Sequence, residues 1–216
     1  WFDGDGMIHG IQFNEGRAHY VKRYVKTTDL AEEVEAGHAL WTGILNPFDP
    51  KSSRAPDKNT ANTDLIFHNG KLLALWWLGG LPYNMELPSL ETLGTESFGG
   101  KLPGGMAAHP KVNPRTSELI FFNYNLYNPP YLEYGVIGAD GQLSHHCEIE
   151  IPGPRLLHDI AITENHIILL LCPTVIDGER LMAGGSFGEC VSWQPDKGLR
   201  FGIRRREAGS AVRWFD

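Results

Sequence analysis

Histidine is the residue type in this sequence best suited to metal chemistry. There are nine histidines, while the three cysteines, Cys147, Cys172 and Cys190, form no Cys-x-x-Cys pair. Imidazole is a ligand for zinc, iron and copper, but a histidine taken singly is more often a core or surface residue. Two stand out by context. His109 ends the run Gly104-Gly105-Met106-Ala107-Ala108-His109-Pro110, whose small residues permit close approach of the backbone to a neighbour. His158 follows Pro154-Arg155-Leu156-Leu157 and precedes Asp159, at the mouth of an apolar hairpin. Each is placed where a strand end would project its ring into a cavity. About fifty residues separate them, so only the fold can bring them together.

Other arrangements are weaker. In His145-His146-Cys147 adjacent side chains on a strand point to opposite faces, and the tract reads as a solvated hairpin arm. His9, His19 and His38 have no partner in sequence. Gly184-Gly185-Ser186-Phe187-Gly188 lacks the strand-to-helix setting that would bind phosphate, and no Gly-x-Ser-x-Gly elbow occurs. An odd number of widely spaced cysteines argues against a disulfide framework and for a reducing compartment.

The elements that must carry these residues are strands. Twenty-five glycines and fourteen prolines interrupt short β-branched and aromatic runs, the pattern of an all-β fold made of hairpins. Hairpins are predicted for 7–13 with 18–27, for 64–68 with 71–76 around Asn69-Gly70, for 131–137 with 142–151, and for 160–163 with 166–172. A further strand is predicted at 119–124. Asn-Gly is a strong signal for a two-residue turn. Residues 29–38 alone have helical character, and 52–63 read as a loop. Such a series suits a sandwich, a barrel or a propeller. No composition shift divides the chain, so it reads as one piece of one domain.

Bulk properties exclude some functions. A formal net charge of -7 disfavours nucleic-acid binding unless the basic residues cluster. The one tight cluster, Arg204-Arg205-Arg206, reads as an exposed strand or turn and is followed by Glu207. The longest apolar run, 167–172, is far too short to span a membrane. No signal peptide is visible, and an opening Trp1 without an initiator Met predicts that the true N-terminus lies upstream.

Several motifs together resemble the carotenoid cleavage oxygenases. Trp1-Phe2-Asp3-Gly4-Asp5-Gly6-Met7-Ile8-His9 resembles their early signature, and Arg23-Tyr24-Val25-Lys26-Thr27 the strand after it. Asn62-Thr63-Asp64 is similar to an Asn-Thr-Asn segment. Leu72 to Trp76, Gly80-Leu81-Pro82-Tyr83 and Leu90-Glu91-Thr92 resemble the next block. Ala108-His109-Pro110-Lys111 and the stretch from His158 to Asn165 resemble the first and second metal-ligand motifs. The motifs run in family order across nearly the whole chain.

That resemblance implies a seven-bladed β-propeller with Fe(II) on its axis, held by four histidines, and a dioxygenase that splits a carbon–carbon double bond. His109 and His158 would be the first two ligands. Residues 1–216 would be part of one propeller domain, with N- and C-terminal portions missing and the other two ligands beyond Asp216. Thr63 matches a threonine that crowds an open coordination position, and reads equally well as an ordinary strand residue. A glutamate that orients a ligand histidine is expected after the Ala-Leu-Trp stretch, but Trp77 or Leu78 stands there; Asp159 is a candidate replacement. Trp76 or Trp77, depending on a one-residue register, occupies the place of a lysine found in stilbene cleavers, which favours an apolar polyene. The expected partners are that polyene and O₂, with no organic cofactor and no nucleic acid. The protein is expected to be a cytoplasmic monomer with a peripheral membrane contact. The alternatives are a stilbenoid or phenylpropenoid cleaver, and a non-catalytic polyene-binding propeller.

Overall fold

A computed structural model describes residues 2–216; Trp1 of the opening motif lies outside the described residues. The chain is built almost wholly of antiparallel strands, as the hairpin pattern requires. Strands β1 (Met7–Asn14) and β2 (Arg17–Tyr24) form a hairpin, followed by the helix α1 (Thr28–Ala36). Thr27 caps α1 by accepting from the Leu30 N–H, and Gly37 ends it in the left-handed region at φ 72°.

Three four-stranded sheets follow. The first holds β3 (Asp64–His68), β4 (Lys71–Leu75), β5 (Tyr83–Met85) and β6 (Thr92–Thr95) in chain order. Asn69 and Gly70, at φ 45° and 75°, make the two-residue turn expected between its first two strands. The second holds β7 (Lys111–Val112), β8 (Leu119–Tyr124), β9 (Leu132–Ile137) and β10 (Leu143–Glu148). The third starts with β11 (Ile160–Ile162) and β12 (His166–Leu171). Its chain then leaves through β13 (Thr174–Ile176), the short helices α2 (Gly178–Met182) and α3 (Phe187–Cys190), and β14 (Val191–Trp193), which pairs with β13. It returns as β15 (Arg200–Arg205), against β12, and β16 (Val212–Phe215).

The second sheet is the centre of the core. Every residue of β8 and β9 is buried. Alternation sends Ile120, Phe122 and Tyr124 toward Leu157, Ile160, Ile167 and Leu169 of the third sheet. Leu119 and Phe121 turn the other way, onto Leu73, Leu75 and Phe98 of the first. Sheets thus pack face to face in chain order, and among the described residues no sheet closes on itself.

Three sequence readings need correction. Arg204 is not exposed: it is 2% accessible, on the face of β15 turned toward the second sheet. Its guanidinium lies over the Tyr134 ring at 4.8 Å and donates to Nε2 of His145 at 3.0 Å. Arg206 likewise turns inward, to Glu118 and to the Glu164 carbonyl. The tract 145–147 is therefore no solvated arm. His145 and His146 do lie on opposite faces, but His145 meets Arg204 and Tyr134, while His146 approaches the Glu133 carboxylate at 3.1 Å. Burial, then the Arg204 charge, lowers the His145 pKa, which favours the neutral ring that can accept from a guanidinium. The reason for the misreading is general: β15 alternates inward and outward, so alternate arginines are buried while their neighbours stay exposed.

Candidate metal centre

His109 and His158 each lie two residues before the first strand of a sheet, His109 before β7 and His158 before β11. These two short strands are edge strands of their sheets and touch each other. Their leading residues therefore meet. The two imidazoles stand 4.9 Å apart between ring centroids, inclined at 67°. Lys111 Nζ, at the start of β7, holds Asp159 beside His158 at 2.6 Å, which ties the two strand starts together.

The backbone delivers His109 to this place through close contact. Gly80 and Gly105 form a bridge between the first sheet and the segment entering β7. A Cβ on Gly105 would lie 2.6 Å from Gly80 N, so nothing larger than glycine fits. Met106 N–H then donates to the Gly80 carbonyl, and Ala108 N–H to that of Trp76, both at 2.9 Å. His109 follows at φ 67°, a left-handed conformation unusual for a side-chain-bearing residue. It is held by a carboxylate: Asp64, the first residue of β3, accepts the His109 backbone N–H at 3.1 Å. The same Oδ2 lies 3.3 Å from His109 Nδ1. That carboxylate thus anchors the His109 backbone and stands beside its ring, as carboxylates beside metal-binding histidines do.

Asp64 was not singled out by the sequence, although it closes the Asn62-Thr63-Asp64 motif; an acidic residue opening a strand was the available signal. Asp159 is directed elsewhere, to Lys111 and to the Ile160 N–H at 2.7 Å. The Thr63 hydroxyl accepts the Trp77 N–H at 3.0 Å and so fixes the turn after β4. In that turn Gly79 N–H returns to the Trp76 carbonyl, so Trp77 and Leu78 are its two central residues. Both pack on the core, Trp77 against Phe187 at 5.7 Å. Trp76 is 7% accessible, and its indole N–H is enclosed without a partner.

His158 is exposed and His109 partly so. Partial burial, and then the proximity of His109, lowers the pKa of His158, which favours the neutral imidazole that binds metals. Among the described residues no group of three or more His, Cys, Asp or Glu converges as a metal site. Two imidazoles suit a borderline metal ion but do not complete a coordination shell.

Comparisons with known proteins place this arrangement. A carotenoid 9,10(9′,10′)-cleavage dioxygenase of Crocus sativus is 38% identical over 100% of this chain and 43% of its own length. Resveratrol cleavage oxygenase 1 of Aspergillus fumigatus is 36% identical, again over 100% of this chain and 43% of its own. The crystal structure of the Pseudomonas brassicacearum lignostilbene dioxygenase superposes with a TM-score of 0.87 at 38% identity, covering 99% of this chain and 45% of that one. The chain spans about half the length of the curated relatives it matches. The family model described as retinal pigment epithelial membrane protein matches residues 1–216. The chain belongs to that family, which the carotenoid cleavage oxygenase motifs in its sequence had indicated.

Proposed function

We propose that the whole protein is a non-haem Fe(II) dioxygenase that cleaves a carbon–carbon double bond of a carotenoid or apocarotenoid. Residues 1–216 are then part of a single seven-bladed propeller domain, with further blades and two further histidine ligands supplied by the rest of the protein. The observation that carries this reading is the meeting of His109 and His158, remote in sequence, with rings 4.9 Å apart. The face-to-face stacking of successive four-stranded sheets in chain order supports the propeller.

The donor chemistry fits iron: His109 Nε2 and the His158 ring would hold the metal as neutral ligands. When bound, Fe(II) would supply the electrons that activate O₂. Asp64 holds the His109 ring. Thr63 fixes the turn that carries Trp77, whose partly exposed indole, backed by the buried Trp76 ring at 6.1 Å, offers surface to a conjugated chain. The same reading has the protein act as a cytoplasmic monomer, taking its polyene through a peripheral membrane contact. No helix among the described residues is long and apolar enough to cross a membrane.

The lignostilbene likeness supports a second reading, cleavage of a stilbenoid or phenylpropenoid. The absence of a cation at Trp76 and Trp77 weighs against it, because an unpaired buried phenol costs about 1–3 kcal/mol. The test is to measure iron content of the full-length protein and to identify by mass the products from one apocarotenal and one 4-hydroxystilbene. A larger kcat/KM for the stilbene would reverse the substrate assignment. Unchanged iron in His109→Ala and His158→Ala would remove the metal assignment.

A further inference from the structure

A second cleft lies at the end of the third sheet, between the 152–155 segment and the end of β12 and start of β15. A cleft of about 280 Å³ there is lined by Arg155, Lys197 and Arg200, with Pro152, Leu171 and Cys172. No carboxylate lines it; Glu148 and Glu150 belong to the neighbouring cleft that shares Pro152 and Arg200.

Arg155 is the telling residue. It is 7% accessible, yet its side-chain hydrogen bond is a local one, from Nη1 to the Pro154 carbonyl at 2.9 Å. A guanidinium carries five N–H donors, and a buried cation without a counter-charge is unfavourable. Among the described residues no acid pairs with Arg155 or Lys197. Arg200 holds the exposed Asp216 through Nε. Its terminal nitrogens are not engaged by that bond.

The walls are rigid. Arg155 sits in an antiparallel bridge with Val175, after Pro152-Gly153-Pro154, whose proline rings restrict the backbone. Lys197 ends a single helical turn, 195–197, closed by the Gly198 N–H on the Pro195 carbonyl. Arg200 pairs in register with Leu171. Three cations are thus presented to one small volume before any ligand arrives, an arrangement that lowers the entropic cost of binding.

We propose that this cleft binds a phosphate group, with Arg155 as the buried fork and Lys197 and Arg200 at the rim. Guanidinium and phosphate match in geometry, and the volume admits a phosphate with a short substituent. A free phosphate and a phospholipid headgroup share this chemistry.

The test uses the full-length protein and two probes: inorganic phosphate, titrated calorimetrically at constant ionic strength against chloride, and phosphatidylcholine vesicles with and without phosphatidic acid. Arg155→Gln should weaken binding by roughly tenfold or more, the value of a charge-assisted hydrogen bond. Lys197→Gln, on an exposed turn that cannot disturb folding, should weaken it several-fold. Phosphate binding that both variants impair identifies a free-phosphate site. Binding only to phosphatidic acid vesicles, impaired by both variants, identifies a headgroup site. Failure of both probes to bind, or binding that Lys197→Gln and Arg155→Gln leave unchanged, overturns the proposal.

Discussion

The central sheet and the β1–β2 hairpin are both antiparallel, yet they are held in opposite ways. Strands β8 and β9 are buried along their whole length and on both faces. The hairpin is exposed along most of its length, with Ile11, Phe13 and Tyr20 open to solvent. Only its base is fixed. There Ile8 and Val25 are buried, Gly6 N–H donates to the Thr60 carbonyl, and Lys58 binds Asp5 at 2.7 Å and Glu33 at 2.6 Å. Apolar packing fixes the centre, whereas backbone bonds and one buried ion triad fix the edge. Strand sequence alone therefore does not decide burial; neighbours on each face do.

Substitutions that separate packing from polar ties sharpen this contrast. Phe122→Ala in β8 should cost about 3–5 kcal/mol, because the fully enclosed ring leaves a cavity. Urea unfolding measures it, and a loss below about 1 kcal/mol would deny the sheet its central role. Lys58→Met should cost about 3 kcal/mol by leaving two carboxylates without their cation. Burial would raise the Glu33 pKa, but the Lys58 and backbone hydrogen bonds outweigh it and hold the carboxyl below its usual value. Its contribution is therefore present above the unfolded pKa and lost as pH falls through the lower, folded one. Lys58→Met should weaken that acid-side dependence, because only the backbone hydrogen bonds from Leu40 and Trp41 then remain.

Asp57 should behave in the opposite sense. Burial raises its pKa to about 6 against the Tyr127 hydrogen bond, with the Asp3 charge adding to the rise. The folded state thus keeps a proton that the unfolded chain releases near pH 3.8. Stability from this group falls as pH rises between those values and is level above the higher one. Asp57→Asn should then stabilise the protein by about 1–3 kcal/mol at pH 7.5 and by little at pH 3.5, since one pKa unit corresponds to about 1.4 kcal/mol. Thermal unfolding at both pH values checks the sign. Smallest of all, Phe13→Ser on the hairpin should change stability by no more than about 0.5 kcal/mol. A larger loss would mean that the hairpin is packed in solution.

Turn chemistry made much of the fold legible. Asn69-Gly70 announced its hairpin, and the β-branched and aromatic runs gave β8, β9 and β12. Strands β5, β6 and β13 to β16 were missed because they are short or lie in stretches rich in polar residues and glycine. The β12–β15 pairing also spans an excursion through two small helices, which no local pattern announces. At the candidate centre the two histidines had been singled out by their motifs, and the fold brings their rings together. Their carboxylate neighbour was not, since Asp64 reaches His109 from another sheet. Likewise nothing in the run 204–206 says that alternate arginines turn inward; only the facing His145, Tyr134 and Glu118 reveal it.

The bridge between Gly80 and Gly105 has a consequence for adaptation. Side chains that pack can yield by fractions of an ångström, and an interface made of them drifts smoothly as sequences change. Two main chains in direct hydrogen-bonded contact cannot drift; they can shift only in whole-residue steps. The bridge therefore holds the register in which Asp64 meets His109. Insertions in the loops before or after this joint leave the imidazole where it is, while a one-residue slip within it would carry His109 out of reach of its carboxylate altogether.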